Sequence, residues 1–172
     1  MFVKITNNFY QLTNVLDQDT LTMLNQEFDN TSNWCARPQQ TAIRLEQGVG
    51  HLTKFVHTAL ATVVAEAESR LGTLYQNTPQ LWLDFPGYVN KIHVDHSPNL
   101  FVNIQVYLND DDERTGTYCF DGNWYSVPYR KNCGYMMFNP TELQHGMKYP
   151  VQKERRSLYQ SFRLTKEISR IW

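Results

Sequence analysis

The sequence predicts an α+β fold that is mainly β: helices first, then eight short antiparallel strands closing into a jelly-roll-like core. Three observations predict it. Residues 50–71 carry apolar side chains at helical spacing over several turns. From Gln80 onward the hydrophobic period changes to that of a strand. Turn-forming residues then recur every ten or so positions, the rhythm of a sandwich or barrel.

The elements follow in order. Asp17 ahead of Thr20 and LTMLNQEF reads as a capped start and a short amphipathic helix ending near Asp29. A polar stretch, residues 30–40, leads to a strand around residues 41–45. The long helix over residues 50–71 presents Leu52, Phe55, Val56, Leu60, Val63 and Val64 on one buried face, and Gly72 ends it as a C-cap. The strands are then LWLDFPGY, VNKIHVDH, LFVNIQVYLN, GTYCFD, NWYSVPY, CGYMMFNP, HGMKYP and RRSLYQSFRL. Helices ahead of them would cover one sheet from outside. We read residues 1–172 as one domain, with N-terminal strands and supporting helices over 1–79 and the β core over 80–164.

Composition narrows the function classes. With 41% hydrophobic and 13% aromatic residues the chain is globular rather than disordered. Sixteen basic and seventeen acidic residues leave a net charge of −1, which argues against a broad electrostatic grip on nucleic acid. Cys35, Cys119 and Cys133 form no CxxC pair, so a zinc knuckle or a thioredoxin-type motif is not expected, and a reducing interior suits them. No apolar run resembles a signal peptide or a membrane span, and a soluble cytoplasmic location is expected.

The chemistry concentrates at His93-Val94-Asp95, His145 and Arg155-Arg156-Ser157. Alternate residues of a strand share a face, so His93 and Asp95 can grip one ion together. A second histidine, His145, opens a later strand after the turn at Asn139-Pro140. Two imidazoles and a carboxylate with open positions are diagnostic of non-haem Fe(II) oxygenases. A lone histidine is usually structural, and HxD alone is weak; the order of the ligands and the basic residue on predicted strands makes the pattern strong.

Two further strands supply a lining. Ile104, Val106 and Leu108 alternate with Asn103, Gln105 and Tyr107, a polar face that belongs either to solvent or to a cavity binding a polar small molecule. On the last strand Leu158 and Phe162 read as the packed face, which sends Arg155 and Ser157 inward. An inward arginine needs an anion, and its planar fork suits a carboxylate. Arg156 and Lys153 fit surface ion pairs better.

Together these residues resemble the 2-oxoglutarate- and Fe(II)-dependent oxygenases, and among them the prolyl-4-hydroxylase-like group. The resemblance spans roughly residues 85–162. FPGYVNKIHVDH is similar to the group's Tyr-x-Pro-Gly lead into HxD, VNIQVYLNDD to its strand ending in Tyr-Leu-Asn, CGYMMFNPTELQHGM to its approach to the distal histidine, and ERRSLYQSF to its Arg-x-Ser strand. It implies a double-stranded β-helix (jelly-roll, cupin-like) core, with His93, Asp95 and His145 as catalytic iron ligands. It implies that Arg155 holds the distal carboxylate of 2-oxoglutarate, with Ser157 beside it and Tyr107 bonded to the same group. Asn103 and Gln105 join the cosubstrate site by strand parity. The implied cofactors are Fe(II), 2-oxoglutarate and O2, with ascorbate as a further candidate. The implied reaction hydroxylates a C–H bond of a peptidyl (prolyl included) or small-molecule substrate, releasing succinate and CO2. Phe85 stands where the lead begins with tyrosine, and Thr115-Gly116 where Gly-Gly is usual; both departures bear on the substrate.

Other residues carry less. Strand parity turns His96 away from the motif, and His51 and His57 are six apart, a poor spacing for one metal. Asp110-Asp111-Asp112-Glu113 lacks the pattern of a calcium loop and reads as a solvated turn. Cys119 and Cys133 read as small core residues, while Trp124 and Tyr125, on a loop edge near the barrel mouth, are candidates to touch substrate. Nucleic-acid demethylation fits poorly, because the last strand reads RRSLYQS rather than Arg-x-Asn-x-Thr-x-Arg. The alternatives are a catalytically silent metal- or ligand-binding barrel or interaction module, and a cupin-like zinc or nickel enzyme in which Arg155 has no purpose.

Overall fold

A computed structural model describes residues 1–30, 34–36, 44–96 and 99–164. The chain runs β1 (Phe2–Lys4), β2 (Phe9–Thr13), α1 (Gln18–Asn30), β3 (Cys35–Ala36), β4 (Arg44–Gly48), a 3-10 turn (Gly50–Leu52), α2 (Thr53–Ala59), α3 (Ala61–Leu71), β5 (Leu74–Gln76) and β6 (Gln80–Asp84). It continues through β7 (Val102–Tyr107), a second 3-10 turn (Glu113–Thr115), β8 (Thr117–Asp121), β9 (Asn123–Val127), β10 (Cys133–Phe138), β11 (Gln144–Gly146) and β12 (Arg155–Leu164).

The strands form two antiparallel sheets. The larger has the order β1-β2-β10-β7-β12-β6-β4-β3, with β5 paired to β12, and the smaller is β11-β8-β9. β7, β10 and β12 sit at the centre of the large sheet, and the N-terminal β2 and β4 extend it by pairing with β10 and β6. The mainly β, double-sheet architecture agrees with the sequence.

Parity explains how the large sheet is covered. Ile104 and Val106 of β7, Leu158 and Phe162 of β12, and Leu81 of β6 share the helix-facing side and are at most 1% exposed. Leu21, Leu24, Val56, Leu60 and Val64 of the helices pack on them in one cluster. Each fully buried side chain of this kind stabilises by about 1.5–3 kcal/mol. The opposite side faces the small sheet over a second cluster that includes Phe9, Tyr107, Val127 and Tyr129.

Three expectations are corrected. The helix over residues 50–71 breaks at Leu60 (φ −97°, ψ 8°) into α2 and α3. Just before the break the Thr58 hydroxyl donates to the Lys54 carbonyl at 3.0 Å, an arrangement that bends helices. The buried stripe is also narrower than expected: Phe55 is 39% exposed, whereas Val56, Leu60, Val63, Val64 and Ala67 are buried. Finally, VNKIHVDH is not a strand. It makes one bridge, His93 opposite His145, and among the described residues seven strands rather than eight follow residue 80. Its Lys91 carbonyl is turned to a side chain instead of a neighbouring strand.

Asp17 caps α1, its Oδ1 accepting from the Thr20 amide at 2.7 Å. The strand expected around residues 41–45 appears as β4; residues 41–43 lie outside the described residues. No helix among the described residues is long and apolar enough to cross a membrane.

Candidate metal centre

The site forms where the loop after β6 meets β11. The amide of His93 donates to the His145 carbonyl at 2.9 Å and the amide of His145 returns the bond at 2.8 Å, so the two residues sit opposite each other. The Asp95 amide donates to the Pro140 carbonyl at 3.0 Å, after a turn in which Asn139 takes φ +50°. Gly146 has φ +152°, and a Cβ there would lie 2.7 Å from the carbonyl oxygens of Asn90 and Lys91. Only glycine lets β11 come this close to the loop carrying His93.

The three candidate ligands converge. Asp95 Oδ1 is 3.3 Å from His93 Nε2 and 3.6 Å from His145 Nε2, and one donor atom from each residue lies within 4.8 Å of the others. His93 Nδ1 lies 2.7 Å from the Lys91 carbonyl and His145 Nδ1 lies 2.8 Å from the Leu143 carbonyl. A carbonyl can only accept, so each Nδ1 carries a proton and each ring aims its Nε2 at the carboxylate, where a protonated ring donates a hydrogen bond and a neutral ring offers a lone pair to a metal. Three lone-pair donors facing one point fit a divalent cation, and carbonyl contacts of this kind orient metal-binding histidines. Asp95 Oδ2 accepts from Asn103 Nδ2 at 2.8 Å, leaving Oδ1 toward the histidines.

The electrostatics favour an ionised carboxylate. The hydrogen bond to Asp95 raises the His93 pKa; burial opposes it. Burial would raise the Asp95 carboxyl, but hydrogen bonds from His145 and His93 outweigh it and hold the group below its usual range. His93 is about a third exposed and His145 is buried, so one side of the centre opens to solvent.

A narrow cleft runs from these ligands between the sheets. Asn103, Gln105 and Arg155 line it, as strand parity predicted. Arg155 is 2% exposed. Its Nη1 donates to the Thr115 carbonyl, its Nη2 lies 3.2 Å from Asp84 Oδ2, and its guanidinium carbon sits 4.3 Å from the Tyr129 ring centroid. Tyr129 in turn stacks on Tyr107 at 4.3 Å. Tyr107 and Ser157 are buried behind the lining: the Tyr107 hydroxyl donates to Thr117 Oγ1 at 2.9 Å, and Ser157 Oγ accepts from Gln105 Nε2 at 2.8 Å. Burial raises the Tyr107 pKa, so its hydroxyl is a neutral hydrogen-bonding group.

Sequence reading missed Arg44, Trp82, Asn90 and Tyr135, which also line the cleft. It missed Asp84 as well, although a carboxylate in the apolar run LWLDF was a visible signal. Arg44 carried no signal of its own, since its place depends on β4 pairing with β6. Trp124 and Tyr125 lie in β9, paired with β8 across a hairpin whose Gly122 has φ +77°, rather than on a loop edge. Trp124 is 43% exposed with Lys148 Nζ 4.1 Å from its ring centroid. His51 pairs with Glu27 and His57 with Gln76, while Asp112 bonds within its turn and Asp111 accepts from Thr115 and from the amides of Gln152 and Lys153.

No protein-family model matches the chain, and no curated protein matches it in sequence. Solved structures do resemble it. A prolyl hydroxylase from Trichoplax adhaerens, in complex with a hypoxia-inducible-factor oxygen-degradation-domain peptide fragment, superposes with a TM-score of 0.77 at 12% identity, covering 92% of this chain and 84% of that one. A prolyl-4-hydroxylase from Pseudomonas putida gives 0.71 at 18% identity, covering 94% and 95%. HygX from Streptomyces hygroscopicus, with nickel and 2-oxoglutarate bound, gives 0.71 at 13% identity, covering 92% and 83%. The chain has the fold of the 2-oxoglutarate- and Fe(II)-dependent oxygenases. Its His-Asp-His cluster accompanies that fold.

Proposed function

We propose that this protein is an Fe(II)- and 2-oxoglutarate-dependent oxygenase that hydroxylates a C–H bond of a peptidyl or small-molecule substrate, releasing succinate and CO2. The observation that carries the reading is the convergence of two Nε2 lone pairs and one carboxylate oxygen at the end of a cleft that also holds a buried arginine. Bound iron would supply dioxygen activation coupled to decarboxylation of the cosubstrate. The chain's own part is to orient and shield. His93, Asp95 and His145 would hold the metal through one face, Asn103 would fix the carboxylate, and Arg155 would take the distal carboxylate of 2-oxoglutarate. Gln105 would touch the cosubstrate directly, whereas Tyr107 and Ser157 would support the lining through Thr117 and Gln105.

The substrate class rests on likeness. Among the similar structures, the Trichoplax prolyl hydroxylase holds a peptide and HygX has been seen with hygromycin B, so peptidyl-prolyl and small-molecule substrates are both consistent with the fold. A second reading, a catalytically silent metal- or ligand-binding barrel, is favoured by one observation: Arg155 already touches Asp84.

The deciding test needs no substrate. Anaerobic Fe(II)-loaded protein is titrated with 2-oxoglutarate while the visible charge-transfer band of the chelate is followed. A band in wild type that vanishes in His93→Ala and weakens in Arg155→Ala supports the oxygenase. Folded, iron-loaded protein that gives no band overturns it in favour of the silent barrel.

A further inference from the structure

Arg44, Asp84 and Arg155 occupy one register across three adjacent strands. Arg44 of β4 pairs with Asp84 of β6, and Asp84 pairs with Arg155 of β12. Directly opposed residues share a face of the sheet, so the three side chains form a row, guanidinium–carboxylate–guanidinium, on the cleft side. All three are buried, at 4%, 1% and 2% exposure. Arg44 grips Asp84 with its Nε and Nη2 at 2.5 and 3.0 Å, and Arg155 reaches the same carboxylate at 3.2 Å. Arg44 is further held by Trp82 and Tyr88, whose ring centroids lie 4.2 and 4.4 Å from its guanidinium carbon.

The row poses a charge question. Asp84 by itself would neutralise Arg155 and leave the cleft no attraction for an anion. Arg44 adds a second cation, so the row carries one net positive charge. Among the described residues no other carboxylate lies within ion-pair distance of either guanidinium. Arg155 Nε is moreover buried without a hydrogen-bond partner among the described residues. A buried donor left unmatched is costly, and an anion in the cleft would relieve it.

We propose that Arg44 is a cosubstrate-positioning residue: through Asp84 it restores to Arg155 the single positive charge that takes the distal carboxylate of a 2-oxo dicarboxylate. The proposal rests on the oxygenase reading and deepens it. Asp84 orients both guanidinium groups, and Arg44 offsets the charge that Asp84 brings. The cleft is thereby matched to one carboxylate at the arginine end, with the other left for the metal.

The test compares two chelating ligands on anaerobic Fe(II)-loaded protein, with affinity read by calorimetry and by the charge-transfer band. Pyruvate presents the same 2-oxo acid as 2-oxoglutarate but lacks the distal carboxylate. Arg44→Met should weaken 2-oxoglutarate by about 10- to 100-fold, the scale for one charge in a poorly solvated cleft. Pyruvate should change by no more than about twofold, the scatter of independent sites. The double variant Arg44→Met/Asp84→Asn again carries one net positive charge and should recover most of the 2-oxoglutarate affinity, which a merely structural role for Arg44 would not produce. Should Arg44→Met fail to fold, the double variant decides. A 2-oxoglutarate-to-pyruvate affinity ratio near that of wild type supports the proposal, and a collapsed ratio overturns it. Equal effects on both ligands, or none, in a folded Arg44→Met also overturn it while leaving the oxygenase reading intact. Wild type that binds no 2-oxoglutarate overturns both.

Discussion

Asp84→Ala should be among the most destabilising single substitutions in this chain. It removes the carboxylate that two buried guanidinium groups share, through contacts at 2.5 and 3.0 Å to Arg44 and 3.2 Å to Arg155. Neither arginine can turn to water, because both lie at 4% exposure or less beneath the sheet. Breaking one buried pair by deleting a partner costs about 3–5 kcal/mol. Here the deletion also leaves two like charges in one row, which places the loss at the upper end of that range. For a chain of this length each kcal/mol moves Tm by about 2–4 °C, so the variant should melt roughly 10–20 °C below wild type. The assay is urea unfolding at pH 7 followed by far-ultraviolet circular dichroism, with the midpoint and slope compared between proteins. Glu113→Gln is the control. It breaks an ion pair with Arg130 in which both side chains are more than half exposed, and it should leave the midpoint unchanged. A loss below about 1 kcal/mol for Asp84→Ala, the scale of a surface pair, would refute the claim that this carboxylate compensates buried charge.

Other expectations follow from single features. Ile104→Ala, at a fully buried position of the central strand β7, should cost about 2–5 kcal/mol in the same assay without altering metal affinity. Asp17→Ala should lower Tm at pH 7 by removing the α1 cap. Hydrogen bonds from Thr20 hold the Asp17 carboxyl below its ordinary 3.8, so its contribution is complete above that value and fades as pH falls through the folded pKa; the gap to wild type should narrow as pH is lowered beneath 3.8. Cys119 is buried and its thiol is pushed up to about 12 by burial, so a thiol reagent at pH 8 should label exposed Cys35 first and reach Cys119 only on unfolding, as mass spectrometry of the peptides would read.

The fold was legible where period and parity repeat over several residues. The alternation in β7 and β12 told which residues meet the helices and which meet the cleft, and the structure keeps that division at Ile104, Val106, Leu158 and Phe162. It was less legible where one local interaction overrides a pattern. Nothing in the spacing of residues 50–71 marks the Thr58 hydroxyl bond that precedes the break at Leu60. The loop bearing His93 and Asp95 alternates like a strand, yet it pairs through a single bridge and its Lys91 carbonyl serves the His93 ring instead of a ladder.

The candidate site divides in the same way. His93, Asp95 and His145 could be picked out because metal ligation demands particular residue types, and those types are rare enough to be noticed in order along a chain. Arg44 and Asp84 could not be linked to Arg155 in this manner, because their relation exists only after β4, β6 and β12 have paired in one register. A shift of β4 by one residue would turn Arg44 to the helix-facing side and leave Asp84 cancelling Arg155. The anion end of the cleft therefore depends on sheet register at a distance of forty residues in sequence, whereas the metal end depends on a short motif and one returning histidine. This is why the two ends should fail separately: substitutions in the row ought to alter selection between dicarboxylate and monocarboxylate ligands, and substitutions in the motif ought to abolish binding of both.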